Sequence, residues 1–215
     1  MVKVKICGIT NLEDALFVAR NGGDAIGLLP DVSEAPKEVN IGIEKAREII
    51  SKIPKNIWTF VLTDSKICED IINLCKETKC THVQIIEDLP VTDLIKIKNS
   101  LPNLKIVKAV CVASEFAISD AKRYSEVADY ILLDSRNKDR RGGTGKPHDW
   151  NISSEIVKVI SKPVFLAGGL CPENIEEAIL KVKPYGIDAA SKLEKSRGIK
   201  DRDRVREFIR IAKSL

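Results

Sequence analysis

Apolar residues recur along this chain in two alternating rhythms. Short runs, rich in β-branched side chains and apolar on both faces, fall at 2–7, 24–29, 57–62, 82–86, 105–110, 130–133, 163–167 and 186–189. Strands covered on both faces, as in a buried parallel sheet, read this way. Between them the apolar spacing changes to i, i+3, i+4, i+7. It does so at Leu12, Ala15, Leu16 and Ala19, and again at Ala46, Ile49, Ile50 and Ile53. Cys68, Ile71, Ile72 and Cys75 repeat it, as do Ile175, Ala178, Ile179 and Val182, then Val205, Phe208, Ile209 and Ala212. Each set lines one face of a helix. Weaker periods predict helices over 91–100, 114–124 and 153–161. Thr10 with Glu13 reads as a capping box before the first helix. Pro172 suits the first turn of the seventh.

The pattern predicts eight strands and eight helices in strict alternation. Over 215 residues that is about 27 per unit, compact but sufficient for a (β/α)₈ barrel. A doubly wound open sheet is the competing arrangement. Eight uniform units without a large insertion favour closure, so the expected fold is α/β, a single TIM barrel. No linker or shift of composition divides residues 1–215, and one domain is expected.

Composition narrows the classes of function. Hydrophobic residues at 44% leave little room for disorder. No apolar run approaches the ~18 residues of a membrane span, so no membrane partner is expected. The alternating start Met1-Val2-Lys3-Val4-Lys5-Ile6 lacks the apolar stretch of a signal peptide, which makes a cytoplasmic location the default. The excess of base, a formal +4, is scattered, and aromatics reach only 5%. Both argue against a nucleic-acid partner. Six cysteines stand at 7, 68, 75, 80, 111 and 171, none at Cys-x-x-Cys spacing. A zinc site is therefore poorly supported, and a reducing compartment disfavours disulfides.

In a barrel, chemistry collects at the C-terminal strand ends and the loops after them. That rule nominates Cys7-Gly8, Asp134-Ser135, Gly168-Gly169 and the stretch from Asp188 to Lys192. Gly168-Gly169, a bare backbone ahead of the helix expected at Pro172, suits an anion such as phosphate; a tight turn that needs glycine is the lesser alternative. Gly142-Gly143-Thr144-Gly145-Lys146 resembles a P-loop only superficially, because Pro147 follows the lysine where Ser or Thr is required. A lid over the barrel mouth is the better reading. Cys7 ends a strand and can act as base or nucleophile if its pKa is lowered; a buried thiol is also an ordinary apolar filler. Asp134 ends the apolar run Tyr-Ile-Leu-Leu, as a general acid or base or as a turn cap. His82 opens a strand at the end away from the expected site. His148 lies near the lid. Surface or structural roles are expected for both.

Taken together, Lys5-Ile6-Cys7-Gly8-Ile9-Thr10, Asp24-Ala25-Ile26-Gly27, Val83-Gln84, Leu132-Leu133-Asp134-Ser135, Gly142-Gly143-Thr144-Gly145-Lys146 with Asp149-Trp150, Leu166-Ala167-Gly168-Gly169-Leu170 with Pro172-Glu173-Asn174, and Gly198 with Lys200-Asp201 resemble the phosphoribosylanthranilate isomerase family. The segments run in the family's order along the whole chain. The resemblance implies a (β/α)₈ barrel, an Amadori rearrangement of N-(5′-phosphoribosyl)anthranilate, and no metal or organic cofactor. It implies Cys7 as general base at ribose C2′, Asp134 as general acid at the furanose ring oxygen, and Asp188 near the substrate amine. Gly142 and Gly143 are expected beside the substrate. Gly168, Gly169, Ser191 and Lys192 are expected around its phosphate. Where the family has Ser-Pro-Arg, whose arginine holds the anthranilate carboxylate, this chain has Ala35-Pro36-Lys37, so Lys37 is the expected contact. The family's His-Gly after the fourth strand is Ile86-Glu87 here. Lys192 stands at a usual glycine and Cys171 at a usual asparagine. Action on another phosphorylated sugar, or binding without catalysis, stays open beside the family reaction. So does the choice between monomer and homodimer.

Overall fold

The computed structural model describes residues 1–33, 35–135 and 148–215. Eight parallel strands close on themselves: β1 (Lys3–Ile6), β2 (Ala25–Asp31), β3 (Trp58–Thr63), β4 (His82–Ile85), β5 (Lys105–Cys111), β6 (Tyr130–Asp134), β7 (Val164–Leu166) and β8 (Gly186–Ala189). Closure is made by β1, which pairs with β2 on one side and with β8 on the other. The outer ring consists of α1 (Leu12–Arg20), α2 (Ile43–Lys52), α3 (Cys68–Thr78), α4 (Val91–Ser100), α5 (Phe116–Ser125), α6 (Trp150–Val159), α7 (Ile175–Val182) and α8 (Arg202–Ser214). None of these helices is long and apolar enough to cross a membrane.

The strand period of two separates two apolar layers. Val4 and Ile6 of β1, Ile26 and Leu28 of β2 and Ile131 and Leu133 of β6 face the helices and join their stripes in one cluster. Cys7, Ala25, Phe60, Leu62, Val107, Ala109, Leu132, Phe165 and Ala167 form a second cluster inside the barrel. The lower end of that interior is aromatic. His82 stacks on Phe60 at 4.5 Å, and Tyr130 and Phe165 meet edge-on at 5.8 Å. Of the surface and structural roles expected for His82, this plug gives it the structural one: the residue is 4% exposed.

Several local expectations are corrected. Asn11, not Thr10, caps α1: its Oδ1 accepts from the Asp14 N–H at 2.8 Å. The Thr10 hydroxyl instead donates to the Gly198 carbonyl at 2.6 Å. Asp149 accepts from the Asn151 N–H at 2.8 Å and starts α6 at Trp150, ahead of the expected 153. Pro172 lies outside α7, which opens at Ile175. Between β8 and α8 lies a segment the periodicity does not reveal. A short 3₁₀ turn, Ser191–Leu193, leads into an antiparallel hairpin of β9 (Glu194–Ser196) and β10 (Ile199–Lys200).

Candidate active site

The alternation of β1 points Lys5 and Cys7 to the same face, into the barrel. Space for the thiol comes from β2: a Cβ on Gly27 would sit 2.6 Å from Cys7 Sγ, inside any permissible contact. Beneath Cys7 lies a buried polar network. Lys5 Nζ donates to Asp188 Oδ2 at 2.6 Å and to Gln84 Oε1 at 3.1 Å. Its ammonium also stands 5.0 Å over the Phe60 ring, a cation–π contact that helps a desolvated cation. Lys5 is fully buried, so only such partners make its charge tolerable. The second oxygen of Asp188, Oδ1, is buried and meets no hydrogen-bond partner. Asp188 lines the cavity described below, so a ligand there approaches a carboxylate with one oxygen unsatisfied.

These groups set one another's protonation. Burial, the strongest influence on Lys5, pulls its pKa down, but Asp188 and Cys7 outweigh it and leave the lysine raised and cationic. Burial pushes the Cys7 thiol up; Lys5 and Lys200 pull it back and Asp188 adds to the rise. Lys200, on β10, is itself buried, and its Nζ reaches Glu194 Oε1 at 3.1 Å and the Ala190 carbonyl at 3.3 Å. Burial lowers its pKa against the pull of Glu194.

Above this network opens a cavity at the C-terminal ends of the strands. Cys7, Asp134 and Asp188 all line it. They arrive on β1, β6 and β8, with Cys7 and Asp134 three strands apart around the barrel. One side, from the ends of β2 to β4, is mostly apolar, with Leu29, Val32, Pro36, Val39, Leu62 and Ile86, and also carries Asp64 and Gln84. The other side, after β7 and β8, carries Gly168, Gly169, Ser191 and Lys192. Gly168 has φ +86°, and a Cβ there would meet the Ser135 side chain at 2.7 Å, so glycine is required. Asn174 shapes this loop: Oδ1 accepts from the Cys171 N–H at 2.9 Å and Nδ2 donates to the Gly169 carbonyl at 3.0 Å. The glycines therefore do not run straight into a helix, as the expected start at Pro172 implied. They form a loop clipped by Asn174 ahead of α7.

The structure brings together Cys7, Asp134, Asp188, Gly168, Gly169, Ser191 and Lys192. Lys37 is exposed and stands apart from the cavity wall, although Ala35 and Pro36 belong to it. The turn that follows, with Val39 N–H and Asn40 N–H both bonded to the Pro36 carbonyl, carries Lys37 outward. Gly142, Gly143 and the expected lid lie outside the described residues. Sequence reasoning passed over Lys5, Lys200, Glu194 and Arg197. The signal for Lys5 was there, two residues before Cys7 on one strand, but a lysine in an alternating strand reads as a solvent face. His148 is not among the residues that line the cavity. Its Nε2 lies 2.6 Å from Ser153 Oγ; burial lowers its pKa while the charge of Asp134 works to raise it.

Comparison with known proteins agrees with this architecture. A family model described as N-(5′-phosphoribosyl)anthranilate (PRA) isomerase matches residues 4–211. The N-(5′-phosphoribosyl)anthranilate isomerase 2 of Methanosarcina mazei is 40% identical over 99% of this chain and 95% of its own length. The crystal structure of phosphoribosyl anthranilate isomerase from Thermotoga maritima superimposes with a TM-score of 0.89 at 34% identity, covering all of both chains. A crystal structure of that enzyme type in complex with reduced 1-(o-carboxyphenylamino)-1-deoxyribulose 5-phosphate matches at TM-score 0.86 and 32% identity, again over both chains in full. With a closed eight-stranded barrel and a family match along nearly its whole length, the chain belongs to the N-(5′-phosphoribosyl)anthranilate isomerase family.

Proposed function

We infer that this chain is an aldose–ketose isomerase of tryptophan biosynthesis. It converts N-(5′-phosphoribosyl)anthranilate into 1-(2-carboxyphenylamino)-1-deoxyribulose 5-phosphate. The observation that carries the residue roles is that Cys7, Asp134 and Asp188 share one cavity whose two sides differ in character. An aryl ring suits the apolar wall from β2 to β4. A phosphate suits the glycine loop and Ser191, with Lys192 as the nearby cation. Anchoring both ends suspends the ribose over the end of β1, and such positioning lowers the barrier by holding the reacting carbon at its base.

Asp134, as general acid, gives its proton to the furanose ring oxygen. The bond from C1′ to that oxygen breaks, and the nitrogen lone pair forms the C1′=N bond of a protonated imine. Cys7, as thiolate, then removes the C2′ proton; the electrons form C1′=C2′ and return to nitrogen. The enol so produced becomes the C2′ ketone when C1′ takes a proton and the C2′ hydroxyl gives one up. One donor and one acceptor are needed at once, which two groups in different surroundings can provide. The unpartnered Oδ1 of Asp188 accepts from the substrate amine.

The test is turnover of phosphoribosylanthranilate, followed as loss of its fluorescence. Cys7→Ala and Asp134→Asn should each lose at least about a hundredfold in kcat, the typical scale of acid–base catalysis, while staying folded by circular dichroism. Because burial holds the Cys7 thiol up, the thiolate fraction grows as pH rises, and so should kcat/KM on the limb Cys7 controls. Full activity in Cys7→Ala would rule out the assigned base.

A further inference from the structure

The isomerase reading gives the substrate two anionic ends, a phosphate and an aryl carboxylate. Among the described residues, two cations line the cavity, Lys192 and Arg197. Lys192 follows Ser191 on the phosphate side. Arg197 lies at the turn of the β9–β10 hairpin, and the hairpin's anchors show where that turn sits. Gly198 accepts from the Thr10 hydroxyl at 2.6 Å in the loop after β1. A Cβ on Gly198 would stand 2.6 Å from the Glu38 carbonyl, in the loop after β2. Lys200 N–H donates to Asp14 Oδ2 on α1 at 3.2 Å. The hairpin thus lays its turn against the loop that supplies Pro36 and Val39 to the apolar wall.

We infer that Arg197 binds the carboxylate of the aryl amine and so fixes the specificity of this site for anthranilate; the inference rests on the isomerase reading. The guanidinium is available for it. Its contact with Glu194, 3.7 Å from Nη1 to Oε2, is loose and 40% of the side chain is exposed. Glu194 is meanwhile held by Lys200 at 3.1 Å, which offsets the charge that would otherwise oppose a second carboxylate. A planar guanidinium takes a carboxylate through two parallel N–H···O bonds, a geometry an ammonium cannot offer. Lys37, the cation nearest in sequence to this wall, faces solvent.

The experiment compares wild type, Arg197→Met and Lys37→Met on two substrates: phosphoribosylanthranilate, and its aniline counterpart, which lacks only the carboxylate. Arg197→Met should raise KM for the anthranilate substrate on the order of 10- to 100-fold, the value of a charged hydrogen-bonded contact, with kcat within a few fold. The same variant should leave the aniline substrate unaffected, and Lys37→Met should match wild type on both. An active wild type whose Arg197→Met variant loses nothing, or loses equally on both substrates, overturns the inference alone. So does a selective loss in Lys37→Met without one in Arg197→Met. A wild type that turns over neither substrate overturns the isomerase reading, and the inference falls with it.

Discussion

Lys5→Met tests the electrostatics at the centre of the barrel. Methionine keeps much of the length and volume of lysine, so packing changes little, but Asp188 and Gln84 lose the donor they hold at 2.6 and 3.1 Å. Both Lys5 and Asp188 are essentially out of water. Removing one partner of such a pair leaves the other charge uncompensated, which costs about 3–5 kcal/mol. The variant can recover part of this by protonating Asp188, whose pKa burial already pushes up and Lys5 pulls down. Without Lys5, the folded-state pKa of Asp188 rises well above its unfolded value. The folded variant then carries a proton that the unfolded chain has lost, so its stability falls as pH rises through that window, by about 1.4 kcal/mol per unit. Urea denaturation of wild type and variant at pH 5 and pH 8 measures this. The destabilisation should be several kcal/mol at pH 8 and distinctly smaller at pH 5. Lys5→Met/Asp188→Asn, which removes the stranded charge, should recover much of the loss. A destabilisation under about 1 kcal/mol at both pH values would refute a coupled ion pair. In the same variant the pH limb assigned to Cys7 should move alkaline, because one of the two cations that pull the thiol down is gone.

Two further outcomes follow from geometry. His82 is held at about 4 by burial, and its Nε2 is buried without a partner. Below its unfolded value near 6.5 the unfolded chain gains a proton that the folded one refuses, so stability should fall by about 3 kcal/mol between pH 6.5 and 4. Denaturation curves of His82→Phe should show a flatter acid dependence. Gly27→Ala places a methyl 2.6 Å from Cys7 Sγ and 3.1 Å from Cys7 Cα. It should reduce kcat at least tenfold by displacing the thiol, with the circular dichroism spectrum retained, and near-normal turnover would show that Cys7 need not occupy that niche.

The barrel was readable from sequence because strands packed on both faces write long apolar runs, and because helices between them write a different period. Strand bounds from pattern and structure agree within two residues, as at 24–29 against Ala25–Asp31. The ends of helices were less readable, since caps are decided by one side chain. Thr10 and Asn11 are both acceptable caps by type, and only the tertiary demand of the Gly198 carbonyl removes Thr10 from that duty. The β9–β10 hairpin escaped for another reason. Its strands are three and two residues long, and Glu194-Lys195-Ser196-Arg197 has the look of a solvated charge run. Nothing local announces that Lys200 and Glu194, six positions apart, face each other across that hairpin. Cys7 and Asp134 were legible from their places at strand ends. Lys5 was not, since a lysine in a strand is ordinarily on the wet face and only closure of the sheet puts it inside.

The hidden residues and the legible ones fit one electrostatic plan. Beneath the cavity stand two buried, opposed charge pairs: Lys5 with Asp188 at 2.6 Å, and Lys200 with Glu194 at 3.1 Å. Each pair is close to neutral, so the floor of the site does not bind anions strongly on its own account. The cations without such tight partners among the described lining residues are Lys192 and Arg197, exposed and at the rim. A substrate with an anion at each end is therefore drawn to the rim at two points, while its uncharged ribose is lowered over a paired interior. A neutral floor serves the chemistry. Net positive charge beside Cys7 would lower its pKa and weaken the thiolate as a base, whereas net negative charge would suppress the thiolate altogether. Pairing Lys5 with Asp188 leaves Cys7 between these extremes, and on the proposed reading the two rim cations hold the ligand without disturbing that balance.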